Sequence, residues 1–206
     1  MSRYATLNYT MLLSRAFIAY LSRELTKRLA NGPLELGDEE AVREIVNDLI
    51  TEELSVEDRI NDEVREILGQ YSEYMRREGV SYQEMFKRTK RLLLAERKIV
   101  RASGRESGDR MKLSRDKINE MSHKLAALLR RTLRVKFRME WNDVRLEIVK
   151  GLTEMLVAED KIDHAARVKI RSQKRDIPEG SEEWDLLFRR YYDEELRRYG
   201  IHLANV

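Results

Sequence analysis

The same residue pattern occurs twice in this chain, the second time about 100 residues after the first. Met11–Arg15 returns as Met111–Arg115, and Glu57–Ile60 returns as Glu159–Ile162. A third run also recurs, with Tyr82, Met85, Phe86, Lys87 and Arg88 matched by Trp184, Leu187, Phe188, Arg189 and Arg190. The offset grows from 100 to 102 residues and then stays constant. An internal duplication of this kind predicts two domains of about 100 residues, a common domain size.

The segment between the two copies has the composition of a linker. Residues 102–110 contain two glycines and no large apolar side chain. Such a segment favours an irregular connection over a packed element. We therefore expect a first domain over residues 1–101, a linker over 102–110 and a second domain over 111–206.

The composition favours helices and excludes several kinds of chemistry. Hydrophobic residues make up 42% of the chain and charged residues 37%, with only 9 glycines and 2 prolines. This balance is too apolar for a disordered chain and too poor in turn residues for a β-protein. The chain has no cysteine, which excludes disulfides, thiolate catalysis and thiolate metal ligands.

Neither a membrane span nor a signal peptide is indicated. No apolar run approaches the roughly 18 residues that cross a bilayer. The fairly apolar stretch of residues 7–21 is interrupted by Arg15, and no small-residue cleavage pattern follows it. We therefore expect a cytoplasmic protein that does not associate with membranes.

Charge is distributed unevenly along the chain. Residues 35–66 hold 13 acidic residues against three arginines, and residues 84–117 hold 12 basic residues against five acidic ones. Residues 123–139 contain six basic residues and no acid. Charge blocks of this kind either recruit a charged partner or face each other within one molecule. The sequence leaves both interpretations open.

Apolar residues at helical spacing predict an all-α fold of two similar domains with about four helices each. In the first copy, we expect helices to begin after Ser14, Asp38, Ser55 and Ser81, which are favourable N-cap residues. The first helix should stop at Asn31-Gly32-Pro33 and the third at Gly79.

The second copy repeats this plan with one addition. Ser114 and Ser181 are the expected caps of its first and last helices, and the two central helices should divide near Glu159. Apolar and basic residues alternate over Leu133–Met139, which predicts a short extended segment there.

The second copy resembles the bacterial domain-of-unknown-function family 507 over about 95 residues. The matching motifs are Met111-Lys112-Leu113-Ser114, Glu159-Asp160-Lys161-Ile162-Asp163, Pro178-Glu179-Gly180-Ser181-Glu182-Glu183-Trp184-Asp185 and Tyr191-Tyr192-Asp193-Glu194-Glu195-Leu196. The first copy is similar but divergent, because it lacks the proline turn and the paired tyrosines. The resemblance implies a small helical fold and a bacterial origin, and it brings no catalytic residues or cofactor.

The sequence contains no convincing catalytic or metal-binding constellation. Glu120 and His123 have the spacing used in di-iron helical bundles, but such sites need a second Glu–His pair and two more glutamates. Asp160 and His164 are the best available partners, and neither histidine recurs in the first copy. The serines fit helix caps, and no phosphate-binding loop or nucleophile motif occurs. We expect a non-enzymatic protein without a metal or cofactor.

Two kinds of binding surface are compatible with the sequence. Five aromatic residues that share the last helix are candidates for contact with a protein partner: Trp184, Phe188, Tyr191, Tyr192 and Tyr199. They belong to an apolar arc of about 180°, which implies burial on two sides or one side left for a partner. Basic residues of the second copy are candidates for nucleic-acid contact: Arg130, Arg131, Arg171, Lys174, Arg175, Arg189 and Arg190. We expect an interaction or assembly adaptor, with an RNA- or DNA-associated protein as the alternative.

Overall fold

A computed structural model describes residues 12–104 and 111–202. These residues form seven helices and two short strands. In chain order they are α1 (Arg15–Asn31), β1 (Leu34–Leu36), α2 (Glu39–Gln70), α3 (Ser72–Arg77), α4 (Tyr82–Glu96), α5 (Arg115–Arg131), β2 (Val135–Phe137), α6 (Trp141–Arg171) and α7 (Glu182–Arg198). The all-α prediction is confirmed. No helix among the described residues combines the length and hydrophobicity that crossing a bilayer requires.

Side-chain caps define most of the helix starts where the sequence predicted them. The Ser14 hydroxyl accepts a hydrogen bond from the Phe17 N–H at 3.2 Å, and the Ser114 hydroxyl accepts one from the Lys117 N–H at 3.1 Å. Asp38, Ser81 and Ser181 cap α2, α4 and α7 in the same way. Each cap gives a partner to a backbone N–H that the helix itself leaves unpaired.

The predicted helix starts at Ser55 and near Glu159 are wrong. Ser55 lies inside the 32-residue helix α2, where its hydroxyl donates to the Glu52 carbonyl at 2.9 Å, and Glu159 lies inside the 31-residue helix α6. The buried residues of α2 keep helical spacing through this region, so packing maintains the helix across a local capping signal. Residues 111–202 consequently form three helices, whereas four were predicted for the second copy.

The two strands form an antiparallel ribbon between the halves of the chain, in which Leu34 pairs with Phe137 and Leu36 with Val135. The segment predicted to be extended contains β2, whereas β1 was not predicted. The two segments of the ribbon approach each other closely at Gly37, where an added Cβ would lie 2.9 Å from the Arg134 Cβ. A larger residue at Gly37 would therefore push the ribbon apart.

The central core takes side chains from both halves. Phe17, Leu21 and Leu25 of α1 share one buried cluster with Ile118, Met121 and Leu125 of α5, and the N-terminal parts of α2 and α6 complete it. The division of the chain at residues 102–110 stays a prediction, and residues 105–110 lie outside the described part. Ala102 is buried, and Ser103 pairs with Leu113, so the described flanks of this segment are packed.

Burial follows the same register in both halves. The seven buried positions of α1 recur in α5 at an offset of 100 residues. Eight buried positions of α2 recur in α6 at an offset of 102 residues. Beyond the central core, the C-terminal part of α2 packs with α3 and α4, and that of α6 packs with α7.

Candidate binding surfaces

The acidic segment of residues 35–66 pairs extensively with the basic segments of the same molecule. The closest N–O distances are 3.1 Å for Glu35–Lys136, 2.7 Å for Glu53–Lys117 and Glu53–Lys124, 3.0 Å for Glu57–Lys90 and 2.5 Å for Glu63–Arg97. Of the two interpretations that the sequence left open, the intramolecular one accounts for these five cations.

The repeated acidic residues Glu57 and Glu159 bind residues 102 and 112, which lie on either side of residues 105–110. Glu57 accepts a hydrogen bond from the backbone N–H of Ala102. Glu159 accepts one from the Lys112 ammonium and another, at 2.8 Å, from the Tyr192 hydroxyl. Both carboxylates lie in the middle of a long helix. They therefore hold neighbouring segments in place and do not stabilise a helix start.

A buried network of charges connects α6 with α7. Burial raises the pKa of Glu159 despite the nearby Lys112, and burial next to Glu159 and Asp163 raises the pKa of the Tyr192 hydroxyl. Burial alone would also raise the pKa of Asp163, but Lys112 and Arg167 hold it below its ordinary value. Ionised Asp163 therefore stabilises the fold at neutral pH, and this contribution is lost as pH falls through the folded pKa. The raised pKa of Glu159 has the opposite effect on stability. Its contribution to the free energy of unfolding is present at low pH and is lost as pH rises through the folded pKa.

The aromatic residues of α7 pack mainly within the protein. Trp184, 5% exposed, lies with Ile170 and Ile177, and Phe188 and Tyr191 border the same cluster. Tyr192 borders a second cluster that also contacts Tyr20 of α1. These two clusters account for the wide apolar arc of the helix. Tyr199, at 48% exposure, is the predicted interaction residue that reaches the surface most fully.

The predicted nucleic-acid contacts divide into paired and unpaired side chains. Arg171 pairs with Glu179, Arg175 with Glu183 and Arg190 with Glu194. Arg130, Arg131, Lys174 and Arg189 are exposed and have no ion pair within residues 12–104 and 111–202. The structure does not gather the seven residues on one surface, because they lie on α5, on α7 and near the end of α6.

Arg130 borders an open pocket of about 290 Å³ beside β2. We call it the ribbon pocket; it is lined by Arg130, Val135, Phe137, Met139, Glu140 and Trp141. Leu133, at the entrance to β2, is 89% exposed, and Met139 is 52% exposed. Arg131, Arg134 and Arg138 are exposed nearby in the chain, also without an ion pair in the described part. The surface thus combines apolar side chains with unpaired positive charge.

Comparison of the sequence with models of known protein families finds a match. The profile of the family described as protein of unknown function DUF507 matches residues 11–201 in a single span. The chain belongs to this family. A comparison with curated proteins finds no match. The DUF507 match thus assigns the chain to a family without assigning an activity to it.

Two of the residues that the sequence suggested as metal ligands, Glu120 and His123, have other contacts in this DUF507 protein. Glu120 pairs with Lys117 and Lys124, and the His123 ring lies 5.5 Å from the Trp141 ring. No group of three or more histidine, aspartate or glutamate side chains within residues 12–104 and 111–202 is arranged to hold a metal ion.

Sequence reasoning overlooked the ribbon pocket as a surface, although the signal was present. The alternation over Leu133–Met139 predicted an extended segment, and alternation in an extended strand places every second side chain on one face. Apolar residues in an edge strand therefore deserved consideration as an exposed patch. The N-terminal turn of α6, which carries Trp141, follows this segment directly in the chain, so all the residues that line the pocket fall within residues 130–141.

Proposed function

We propose that this protein is a non-enzymatic interaction protein that binds a protein partner at the ribbon pocket. The observation that carries the proposal is the exposure of Leu133 (89%) and Met139 (52%) beside a pocket lined by Val135, Phe137 and Trp141. Contiguous apolar surface of this kind is typical of interaction sites, whereas isolated exposed apolar residues are common and uninformative. A cytoplasmic location belongs to the same proposal.

The electrostatic arrangement supports binding over catalysis. The most buried ionisable groups, among them Lys117, Glu159 and Asp163, are engaged in ion pairs between or along helices. Active sites usually bring perturbed ionisable groups together in a pocket. The ribbon pocket instead contains one arginine, one glutamate and four apolar residues.

Affinity capture from a nuclease-treated native lysate tests this function. We expect the wild-type protein and a Leu92→Asp control to retain the same partner, and a Leu133→Asp variant to lose it. Leu92 is a matched control because it is 62% exposed on α4, away from the ribbon. A partner set that is unchanged in Leu133→Asp would refute binding at this surface.

The exposed surface of α7 is an alternative binding site for the same protein partner. Leu186 and Tyr199 are 68% and 48% exposed, while Trp184, Phe188, Tyr191 and Tyr192 pack internally. A Tyr199→Asp variant in the same capture experiment separates the two sites. Loss of the partner in Tyr199→Asp, with retention in Leu133→Asp, would transfer the proposal to α7.

Nucleic-acid binding is the second candidate function, favoured by the unpaired arginines Arg130, Arg131, Arg134 and Arg138. If phosphate contacts dominate, affinity for generic RNA should fall steeply as salt concentration rises. An Arg130→Gln/Arg131→Gln variant should then bind RNA more weakly and show a smaller salt dependence. Absence of micromolar RNA binding at low salt would eliminate this candidate.

We also propose that the chain arose by tandem duplication, with the first copy more divergent than the second. The recurrence of seven buried positions between α1 and α5 supports this origin, as does that of eight between α2 and α6. The pairing of β1 with β2 is also consistent with this origin, because each half contributes one strand at a matching position. Separate family matches to the two halves in shorter relatives would test the proposal. Relatives in which only the complete chain aligns would count against it.

A further inference from the structure

We infer that the ribbon pocket binds an extended acidic peptide segment, which adds to the free edge of β2 as a third strand and inserts one apolar side chain. This inference rests on the proposed protein-binding function and specifies the chemistry of the partner. Strand addition to a sheet edge is a common mode of peptide recognition, in which main-chain hydrogen bonds supply affinity and pockets supply specificity.

The protein contains an example of the segment that β2 accepts. β1 has the sequence Leu34-Glu35-Leu36 and pairs antiparallel with β2, where the Glu35 carboxylate lies 3.1 Å from the Lys136 ammonium. Three further acidic residues follow at Asp38, Glu39 and Glu40. One edge of β2 is therefore occupied by an apolar–acidic–apolar strand, and the same chemistry suits the other edge.

Backbone geometry leaves hydrogen-bonding groups on that second edge. The Gly37 N–H donates to the Arg134 carbonyl and the Arg138 N–H donates to the Pro33 carbonyl, both at 2.8 Å. Because ladder bonds alternate along an antiparallel strand, the main chain of residues 134, 136 and 138 faces β1. The N–H and carbonyl of Phe137 then point away from β1, as does the carbonyl of Val135, whereas the Val135 N–H already donates to the Thr132 carbonyl at 3.4 Å. Within the described residues the sheet has two strands, so no third strand lies on this edge.

Positive charge on and near β2 favours an acidic partner. Arg130, Arg131, Arg134 and Arg138 are exposed without ion pairs in the described part of the chain, and Glu140 is the acidic residue of the lining. Two other basic residues of this segment, Lys124 and Lys136, are already paired with Glu53 and Glu35. Alternation places Arg134 and Arg138 on the face of β2 opposite Val135 and Phe137, where the acidic side chains of an alternating peptide strand would lie. Positive charge on that face favours a carboxylate-rich ligand by electrostatic complementarity.

The pocket itself favours a peptide over a nucleic acid. Four of its six lining residues are apolar (Val135, Phe137, Met139 and Trp141), and its volume of about 290 Å³ suits one side chain better than a packed helix. Phosphate-directed binding needs only exposed cations. It gives no role to an apolar pocket next to free main-chain hydrogen-bonding groups.

Selection from a phage-displayed library of random twelve-residue peptides against the full-length protein tests the inference. We expect enrichment of peptides that combine several acidic residues with an alternating apolar residue. Synthetic versions should change the fluorescence of Trp141, measured in a Trp184→Phe background so that one tryptophan reports. Their affinity should fall with salt, and an Arg130→Gln/Arg138→Gln variant should bind roughly tenfold more weakly or worse.

Two further variants provide matched controls. Arg88→Gln/Arg91→Gln removes the same charge from exposed positions of α4 and should leave peptide affinity unchanged. Glu140→Gln should strengthen binding, because it removes the acidic residue of the pocket. The Glu140 side chain makes no capping hydrogen bond to α6, so this change does not remove a cap.

The possible outcomes separate this inference from the function on which it rests. Enriched peptides that are apolar without acidic bias, and that Leu133→Asp no longer binds, overturn the inference while the proposed function stands. Failure to enrich any peptide, together with lysate capture that Leu133→Asp leaves unchanged, overturns both. A concentration-dependent dimer that Arg130→Gln/Arg138→Gln abolishes would assign the surface to a second copy of the chain. Displacement of selected peptides by RNA would assign it to nucleic acid.

Discussion

Lys117 provides the sharpest test of how the two halves are held together. Its side chain is 2% exposed, and its ammonium lies 2.7 Å from Glu53 of α2 and 2.9 Å from Glu120. The corresponding positions on the other side of the core, at offsets of 100 and 102 residues, are Phe17 and Met155, which belong to the apolar core. The register of the helices thus places charged side chains at two positions of one half and, at the matching positions of the other half, the buried Phe17 and the partly buried Met155.

The magnitudes follow from what each substitution leaves behind. Glu53→Met leaves Lys117 buried with only Glu120, which is 25% exposed, so we expect it to lower the free energy of unfolding by about 3–5 kcal/mol. Lys117→Met should cost less, about 2–4 kcal/mol, because Lys124 still lies 2.7 Å from Glu53. The double variant imitates the apolar counterpart. It should fall within about 1 kcal/mol of wild type or be more stable.

Urea unfolding followed by circular dichroism at the helix band measures the complete double-mutant cycle. The control cycle uses Arg59 and Glu52 of α2, whose side chains are 58% and 62% exposed. Their coupling energy should be below about 1 kcal/mol. If the costs of Glu53→Met and Lys117→Met simply add in the double variant, the buried pair has no coupling and the reasoning fails.

Three further predictions concern α6 and α7. Tyr192→Phe removes the hydroxyl that donates to Glu159 at 2.8 Å; it should lower the free energy of urea unfolding by about 1–3 kcal/mol, and an unchanged value would contradict this role. Asp163→Asn should reduce the loss of stability on acidification, because the folded pKa of Asp163 is lowered. The measurement is the free energy of unfolding from pH 7 to below the ordinary aspartate pKa of about 4. An unchanged dependence of this free energy on pH would exclude Asp163 as a cause. Gly151→Leu should lower the melting temperature, because even a Cβ would lie 3.0 Å from Leu25 and 3.1 Å from Arg28; Leu152→Met is a volume-conserving control.

Local signals predicted the helix starts better than the helix lengths. A cap depends on one side chain and a backbone N–H three residues away, so Ser14, Asp38, Ser114 and Ser181 were identified from the sequence alone. Ser55 carries a similar signal inside α2, but Ile50, Leu54 and Ile60 are buried on both sides of it. A helix packed along its whole length does not stop at a residue that would also suit a cap.

Long-range pairing explains what the sequence could not predict. The charge blocks were visible, but which carboxylate meets which ammonium depends on how α2 lies against α4 and α5. The wide apolar arc of α7 was compatible with burial on two sides or with one side left for a partner, and the helix contacts two clusters. That one of these sides reaches Tyr20 of α1 required the fold.

Two of the residues that line the ribbon pocket are replaced in the first half of the chain, although burial there follows the same register. At the positions corresponding to Arg130 and Trp141, at offsets of 100 and 102 residues, the first half has Ala30 and Glu39. Asp38 caps α2, whereas its counterpart Glu140 gives α6 no side-chain cap, a loss worth about 1 kcal/mol in comparable helices. The fold therefore does not require an arginine, a tryptophan and a poorly capped helix beside β2. Because stability alone would favour the arrangement at Asp38, the departure at Glu140 favours a binding role for this surface.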